Sequence, residues 1–321
     1  MTVSQSPSTR AFKRLRKNTL AMIALVWMLL ISFLAIFAGV ISDSSNHPPN
    51  VQLLEHRNLP PSFWQWTEQQ QQALDFKNIS KERRDNIQRS YSHNIQYYWL
   101  GTDELGRDLF VRLLYGARIS LLVALIGAIV SIVIGVLWGS VAGFLGGWVD
   151  EILMRFVDIF YSLPYIFFVI MVMAIVGQSQ TMMFVCIGAI SWLTMSRIVR
   201  GEVKSLKERD YVIASTALGG EFHHIIRKHI FPNILGIVII YATLMVPQII
   251  LTETFLSWLG LGIQAPAASW GNLMKEGATS TAIQDQPWKL LFPGITLSLT
   301  LLALNFLGDG LRDAFDPRQI K

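Results

Sequence analysis

Five blocks of this 321-residue chain contain no charged side chain, and no other feature limits its fold as strongly. They cover residues 19–41, 119–149, 159–196, 230–252 and 290–308. A hydrocarbon layer about 30 Å thick takes about 20 apolar residues of helix to cross. The 159–196 block is long enough for two crossings, and its polar stretch Gly177-Gln178-Ser179-Gln180 supplies a tight turn between them. The fourth block continues past Glu253 to about Leu259. Six spans result, at about 19–41, 119–142, 159–177, 181–199, 233–258 and 289–309. Backbone amides cannot be left bare in lipid, so the spans are helices, and none has the alternating pattern of a barrel strand. The expected fold is an all-α polytopic membrane protein with six transmembrane helices. Composition agrees: 52% of residues are hydrophobic and only 15% charged, against about a quarter charged in soluble domains.

The single cysteine, Cys186, excludes an intrachain disulfide framework and a cysteine-built metal site. A net charge of +5 is too small to argue for nucleic acid. The placement of the charges is more informative. Arg10, Lys13, Arg14, Arg16 and Lys17 precede the first span, and Arg197, Arg200, Lys204, Lys207, Arg209, Arg227 and Lys228 lie between spans four and five. Arg155 comes after span two, and Arg312, Arg318 and Lys321 end the chain. Six spans put all of these on one side, and short loops on the other side hold only Lys275 and Lys289. By the positive-inside rule both termini, 1–18 and 311–321, are cytoplasmic. The first block is longer than a signal-peptide core of about 7–15 residues, and no small-x-small cleavage site precedes Asp43. It reads as an uncleaved first helix.

Residues 42–118 form an extracytoplasmic loop leading into an interfacial helix. Pro48-Pro49, Pro60-Pro61 and four glutamines at 69–72 mark a break in composition, and Ser80-Lys81-Glu82-Arg83 suits a capped amphipathic helix. In the later stretch GTDELGRDLF (101–110), Thr102 or Asp103 is placed to cap a helix at the outer interface that leads into span two. Span two then carries Gly127, Ser131, Gly135, Gly139, Gly143 and Gly147 at every fourth position, a bare ridge for close helix packing. Pro164, Pro247 and Pro293 fall in or beside spans three, five and six and predict kinks.

The segment 197–232 is patterned too regularly for a tether. Val203, Leu206, Ile213, Ala214 and Ala217 recur near helical spacing with Lys204, Lys207, Glu208 and Arg209 between them. Gly219-Gly220 stops that helix. Glu221 opens a second one, where an acid suits the positive end of the dipole, and Pro232 marks the return to the membrane. The small residues Ala214, Ser215, Ala217 and Gly219 leave room for a partner's surface. A helix, a glycine turn and a second helix, held between two spans, form a rigid knob that carries motion from a cytoplasmic protein into the bilayer.

This pattern resembles the cytoplasmic motif of integral-membrane permeases of bacterial binding-protein-dependent ABC importers. That motif reads E-A-A, three residues, G, nine residues, I-x-L-P. Here Ala214 and Ser215 stand for the two alanines, Gly219 for the glycine and Phe231-Pro232 for the last pair, while Ile213 replaces the glutamate and His229 the isoleucine. The stretches GTDELGRDLF (101–110), GARISL (116–121), SW through RIVRG (191–201), FLSWLGLG (255–262), SWG (269–271) and GDGLRDAFDP (308–317) are similar to the dipeptide/oligopeptide/nickel permease subfamily, above all to its oligopeptide C subunits. The resemblance covers nearly the whole chain except 42–98. It implies a type I importer permease whose segment 200–232 holds a coupling helix, with Ala214, Ser215, Ala217, Leu218, Gly219, Gly220, Glu221 and Pro232 as the ATPase-coupling residues. The implied partners are a second homologous permease, two ABC ATPase subunits and an extracytoplasmic peptide-binding protein in the bacterial inner membrane. ATP and Mg would bind to the ATPases and not to this chain, which has no phosphate-cradling G-x-x-x-x-G-K-[ST] loop.

Other chemistry is sparse. His223 and His224 point about 100° apart on a helix, and with His229 they read as a basic surface, not a metal site. Glu253 is the one acid inside a span and is a candidate lining of the translocation path, at an outer end where water is expected to reach it. Asp309, Arg312, Asp313 and Asp316 read as local ion pairs and caps. Two other classes compete. A stand-alone secondary transporter would carry ion-site charges near the midplane, and the spans hold almost none. An intramembrane enzyme would need a paired nucleophile and base, and no histidine lies in a span core.

Overall fold

The computed structural model describes residues 14–45, 48–61, 98–177 and 179–315. The chain runs through α1 (Thr19–Ile36), α2 (Ala38–Ser45), a 3-10 turn (Leu54–His56), α3 (Leu109–Leu145), α4 (Gly147–Ser162), α5 (Tyr165–Val176) and α6 (Gln180–Lys207). Then come α7 (Asp210–Ala217), α8 (Phe222–Ile225), a π turn (Ile226–Ile230), α9 (Phe231–Trp258), α10 (Trp270–Gly277), α11 (Ser280–Asp285) and α12 (Trp288–Phe315). Among the described residues there is no strand, only one isolated bridge between Thr102 and Asp108.

Five helices are long and apolar enough to cross a membrane, and the bent pair α4 and α5 makes a sixth crossing if counted as one span. The bend is 83°. It falls where the sequence predicts it: Leu163 precedes Pro164 and is driven to an extended conformation (φ −79°, ψ 130°) because the proline ring clashes with a helical neighbour. The expected third span, 159–177, is therefore broken at its start. Pro247 and Pro293 lie inside continuous helices.

The expected interfacial helix before span two is corrected. Asp108, not Thr102 or Asp103, caps the helix, accepting from the amides of Phe110 (2.8 Å) and Val111 (3.3 Å). The helix that Asp108 opens is no separate element but α3 itself, 37 residues long, about 55 Å at the helical rise. The span expected at 119–142 is its interior. The capped helix expected near Ser80 lies outside the described residues.

The chain divides into two compact units. One contains Leu122–Thr252 with the described ends of the chain as far as Met28 and from Leu301. The other contains Leu29–Leu121 and Glu253–Thr300.

In the first unit, the bare ridge of α3 packs on α6. A Cβ at Gly135 would lie 2.6 Å from Met195 Cβ, one at Gly139 would lie 2.9 Å from Val199 Cβ, and one at Gly143 would lie 2.9 Å from Val203 Cβ. Ser131 Oγ donates to the Ser191 carbonyl at 2.8 Å. Gly127 meets Ile249 of α9. Only backbone-width residues allow this approach. Gly147 does not belong to the ridge: α3 ends at Leu145, Gly147 has φ +54°, and nothing lies within 4 Å of where its Cβ would be. The period of four continues past the point where the helix stops.

Ion pairs between α4 and α6 escape the sequence pattern altogether. Asp150, almost fully buried, takes a two-pronged contact from Arg200, with Nη2 to Oδ2 at 2.7 Å, and Lys204 Nζ at 2.6 Å. Asp158 takes Arg197 at 2.6 Å, and that guanidinium also sits 4.0 Å from the Tyr161 ring centroid. Asp150→Asn removes the charge that Arg200 and Lys204 share. A charge-assisted bond contributes about 1.5–3 kcal/mol, so a loss near the lower figure is expected from partly exposed cations, read as a lower thermal midpoint of the detergent-solubilised chain. Glu151→Gln should leave the midpoint unmoved, because its Arg155 partner is surface-exposed (side chains 67% and 75% exposed).

Candidate functional site

The segment between α6 and α9 builds a projection from the residues up. Helix α6 runs on to Lys207 and stops at Glu208 and Arg209, which leave helical geometry. The single helix expected over 203–217 is therefore two, and the turn-containing loop is short. Helix α7 ends in a Schellman motif. Gly219, at φ +81°, sends its amide to the Thr216 carbonyl at 3.0 Å, and Gly220 sends its amide to the Ser215 carbonyl at 2.9 Å. Gly220 also has no room for a side chain, since a Cβ there would lie 2.7 Å from the Ser215 oxygen. Glu221 is the extended residue that opens α8.

Pro232 does not end the projection. Helix α8, the π turn and α9 form one continuous rod, Phe222–Trp258. Proline clashes with the carbonyl four residues before it, here that of Lys228, and the widened π turn immediately before the ring gives that carbonyl space. Asn233 Nδ2 donates to the His229 carbonyl at 2.5 Å.

The exposed face of α7 agrees with the room expected for a partner at Ala214 and Ala217, and it also carries larger apolar side chains. Val212, 1% exposed, is the residue turned inward. It joins Val136, Met195, Val199, Val203, Ile225, Ile230, Ile234 and Val238 in one apolar cluster, with Phe144, Leu206 and Ile226 packed on it. Ile213, Ala214, Ala217 and Leu218 face out, and Leu218 is 90% exposed. Tyr211 is exposed beside them. An apolar stripe that faces outward has the same spacing as one that faces a core, so periodicity alone does not separate the two.

The projection is braced. Phe222 meets Phe144 edge-on with ring centroids 5.3 Å apart. Lys207 Nζ donates to the Phe144 carbonyl at 2.7 Å, near the end of α3, where a cation suits the dipole. Helices α3, α6 and α9 thus grip the base of α7 while its apolar tip is free of the chain's own core. The three histidines lie along the projection with rings 6.1 Å apart for His224 and His229. Among the described residues, no group of three or more His, Cys, Asp or Glu is placed to hold a metal.

Glu253 is corrected. It is fully buried in the second unit, and water does not reach it there. Its carboxylate accepts from Ser120 Oγ at 3.0 Å and Ser257 Oγ at 2.8 Å. Ser269 caps α10, and Trp270 donates its amide to Ser120 Oγ at 3.4 Å and its indole to the Leu113 carbonyl at 3.3 Å. Gly116 makes way for Trp270, and Gly262 and Gly271 make way for Ser257. The motif stretches 116–121, 255–262 and 269–271 are thus one packed cluster.

The stretch 101–110 is tied down in the same unit by buried charges. Asp103 accepts from the amides of Leu105 and Arg107 at 2.9 Å each and pairs with Arg107 Nε at 2.7 Å and Arg112 Nε at 3.3 Å. Arg112 reaches Glu276 at 3.1 Å, and Lys289 reaches Asn58 at 2.5 Å. Burial pushes the Glu276 carboxyl above the ordinary carboxylate range, and the Arg112 and Arg107 guanidiniums pull it back. Charge balance and burial make this cluster a clasp that no spacing in the sequence announces.

An all-α chain whose described residues include five helices able to cross a membrane, or six crossings with the bent pair, defines a polytopic membrane protein. Comparison with known proteins makes the assignment specific. The chain belongs to the inner-membrane components of binding-protein-dependent transport systems, which its residues 131–321 match. Residues 6–61 match the N-terminal membrane domain of oligopeptide transport permease C. It is 40% identical over 315 residues to the dipeptide transport system permease protein DppC of Bacillus subtilis, an alignment covering 98% of this chain and 87% of the relative. It is 50% identical over 222 residues to the oligopeptide transport system permease protein OppC of Haemophilus influenzae (69% of this chain, 71% of the relative) and 51% identical over 221 residues to that of Escherichia coli K12 (69% and 72%). A multi-pass permease subunit of an inner-membrane importer accounts for these matches, and a stand-alone secondary transporter does not.

Proposed function

We propose that this chain is the C-type permease subunit of an ATP-driven importer of oligopeptides. It forms half of the translocation pathway with a second homologous permease. One of two ABC ATPase subunits grips the projection at Ala214, Ser215, Ala217, Leu218, Gly219, Gly220 and Glu221, and Pro232 lies in the rod behind it, just past the π turn. The single observation that carries this reading is the outward apolar face of α7 and its cap, where Tyr211, Ile213 and Leu218 stand exposed together, the kind of patch that marks a protein–protein contact. Both termini and the projection face the cytoplasm, in keeping with the concentration of Lys and Arg there. ATP and Mg bind to the ATPases, this chain holds no cofactor of its own, and an extracytoplasmic binding protein delivers the peptide. The oligopeptide cargo rests on the match of residues 6–61 to the N-terminal membrane domain of oligopeptide transport permease C.

The mechanism derives from the bracing. ATP-driven closure of the ATPases displaces α7. Val212, Ile225 and Phe222 pass that displacement to α6, α9 and α3 because close-packed interiors transmit strain without yielding. A Leu218→Cys variant, crosslinked in membranes, should capture a nucleotide-binding protein, and the purified chain alone in liposomes should take up no peptide. Capture of no such neighbour, or uptake by the chain alone, refutes the reading.

A further inference from the structure

Within the first unit, α5, α6 and α9 border an open recess of about 240 Å³ lined by Tyr165, Ser191, Thr194, Met245, Gln248 and Thr252 with three isoleucines. Its depth is notable. Thr194 lies fourteen residues into α6 and Gln248 ten residues before the end of α9, about 21 and 15 Å along their helices. Both positions are near the middle of a layer about 30 Å thick.

Polar side chains at that depth need partners. Ser191 and Thr252 find them in their own helices, donating to the Ile187 carbonyl at 2.7 Å and the Gln248 carbonyl at 2.8 Å. Tyr165 does not: its hydroxyl is buried and makes no hydrogen bond. The Gln248 and Thr194 side chains are exposed on the chain's surface. An exposed amide does not belong against lipid tails, and a buried phenol without a partner does not belong in an apolar wall. None of the nine lining residues is charged.

We propose that this recess is where the chain contacts the main chain of a peptide in transit. Hydroxyl and amide side chains both donate and accept, and a peptide backbone offers both kinds of group at every residue, whatever its side chains are. A wall with hydrogen-bonding groups and no charge holds that backbone without selecting among side chains by sign. The inference deepens the importer reading and rests on it.

The test uses the complete transporter in proteoliposomes, with trialanine, trilysine and triglutamate as probes. The double variant Tyr165→Phe, Gln248→Leu should lower ATP-driven uptake of all three peptides by about the same factor, roughly tenfold for lost hydrogen bonds to the backbone, with basal ATP hydrolysis kept. Uptake within twofold of the unsubstituted complex, or a loss limited to one charge class, overturns the proposal. Thr194→Cys guards against misfolding. A sulfonated thiol reagent should modify it at least ten times faster than Val185→Cys on the opposite side of α6, the native Cys186 being buried, and equal rates overturn the proposal as well. An unsubstituted complex that moves none of the three peptides on ATP addition sinks the importer reading itself. Normal uptake that the variants leave unchanged sinks only the recess.

Discussion

Gly219→Val abolishes the greater part of ATP-driven uptake while the chain still inserts and folds. Gly219 holds φ +81°, where residues with a Cβ are strained, yet nothing lies within 4 Å of where its Cβ would sit. The substitution therefore creates no clash inside the chain. It costs about 1–2 kcal/mol of left-handed strain, which the turn escapes by unwinding the Schellman motif and moving Leu218, the most exposed large apolar side chain among the described residues. A penalty of that size corresponds to a factor of roughly 5–30 in an equilibrium. Uptake and co-purification of the ATPase should fall together by that factor or more, with unchanged amounts of detergent-extractable monomer. Gly219→Asn separates geometry from size, because asparagine visits this conformation readily. Asparagine should keep most of the activity. If valine and asparagine behave alike, the left-handed turn is not what the partner reads.

Gly139→Leu has the opposite profile: the fold fails before the function is tested. A Cβ there would already lie 2.9 Å from Val199 Cβ and 3.0 Å from the Arg200 amide nitrogen, and leucine adds three more carbons. Overpacking costs about 1–3 kcal/mol or more even where side chains can shift, and here the obstacle includes the backbone of α6. We expect a strong drop in thermal midpoint or no extractable protein. Gly201→Leu is the control on the same helix pair: nothing lies within 4 Å of its Cβ position, and a leucine favours helix over glycine by roughly 1 kcal/mol. A Gly139→Leu chain as stable as the Gly201→Leu chain would show that α3 and α6 do not approach this closely.

These two glycines show how differently the sequence speaks. The fourfold period of Gly127, Ser131, Gly135, Gly139 and Gly143 states that one ridge of α3 is bare, and the partner helix is the only missing fact. The same count includes Gly147, which lies past the end of α3, because a period does not record where a helix stops. At the projection, the order of helix, double glycine and second helix is visible in the residue types. The inward and outward faces of α7 are not: Val212 and Ile213 are adjacent, both apolar, and only packing assigns one to the core and the other to the surface.

Glu253 and the clasp around Arg112 mark the same boundary from the polar side. One carboxylate in an apolar run signals a special site, but whether it faces a path or a ring of serines depends on residues 133 positions away in the chain. Asp103, Arg107, Arg112 and Lys289 are buried around a half-buried Glu276, and because no spacing pattern joins these segments the cluster appears only when the chain is folded. The sequence by itself determined the membrane helices, the family and the place of the projection, because those depend on local composition and local backbone preference. Which faces are buried, which charges meet and which polar groups remain open at mid-depth were decided by tertiary structure alone, since each depends on what a distant segment brings within contact range.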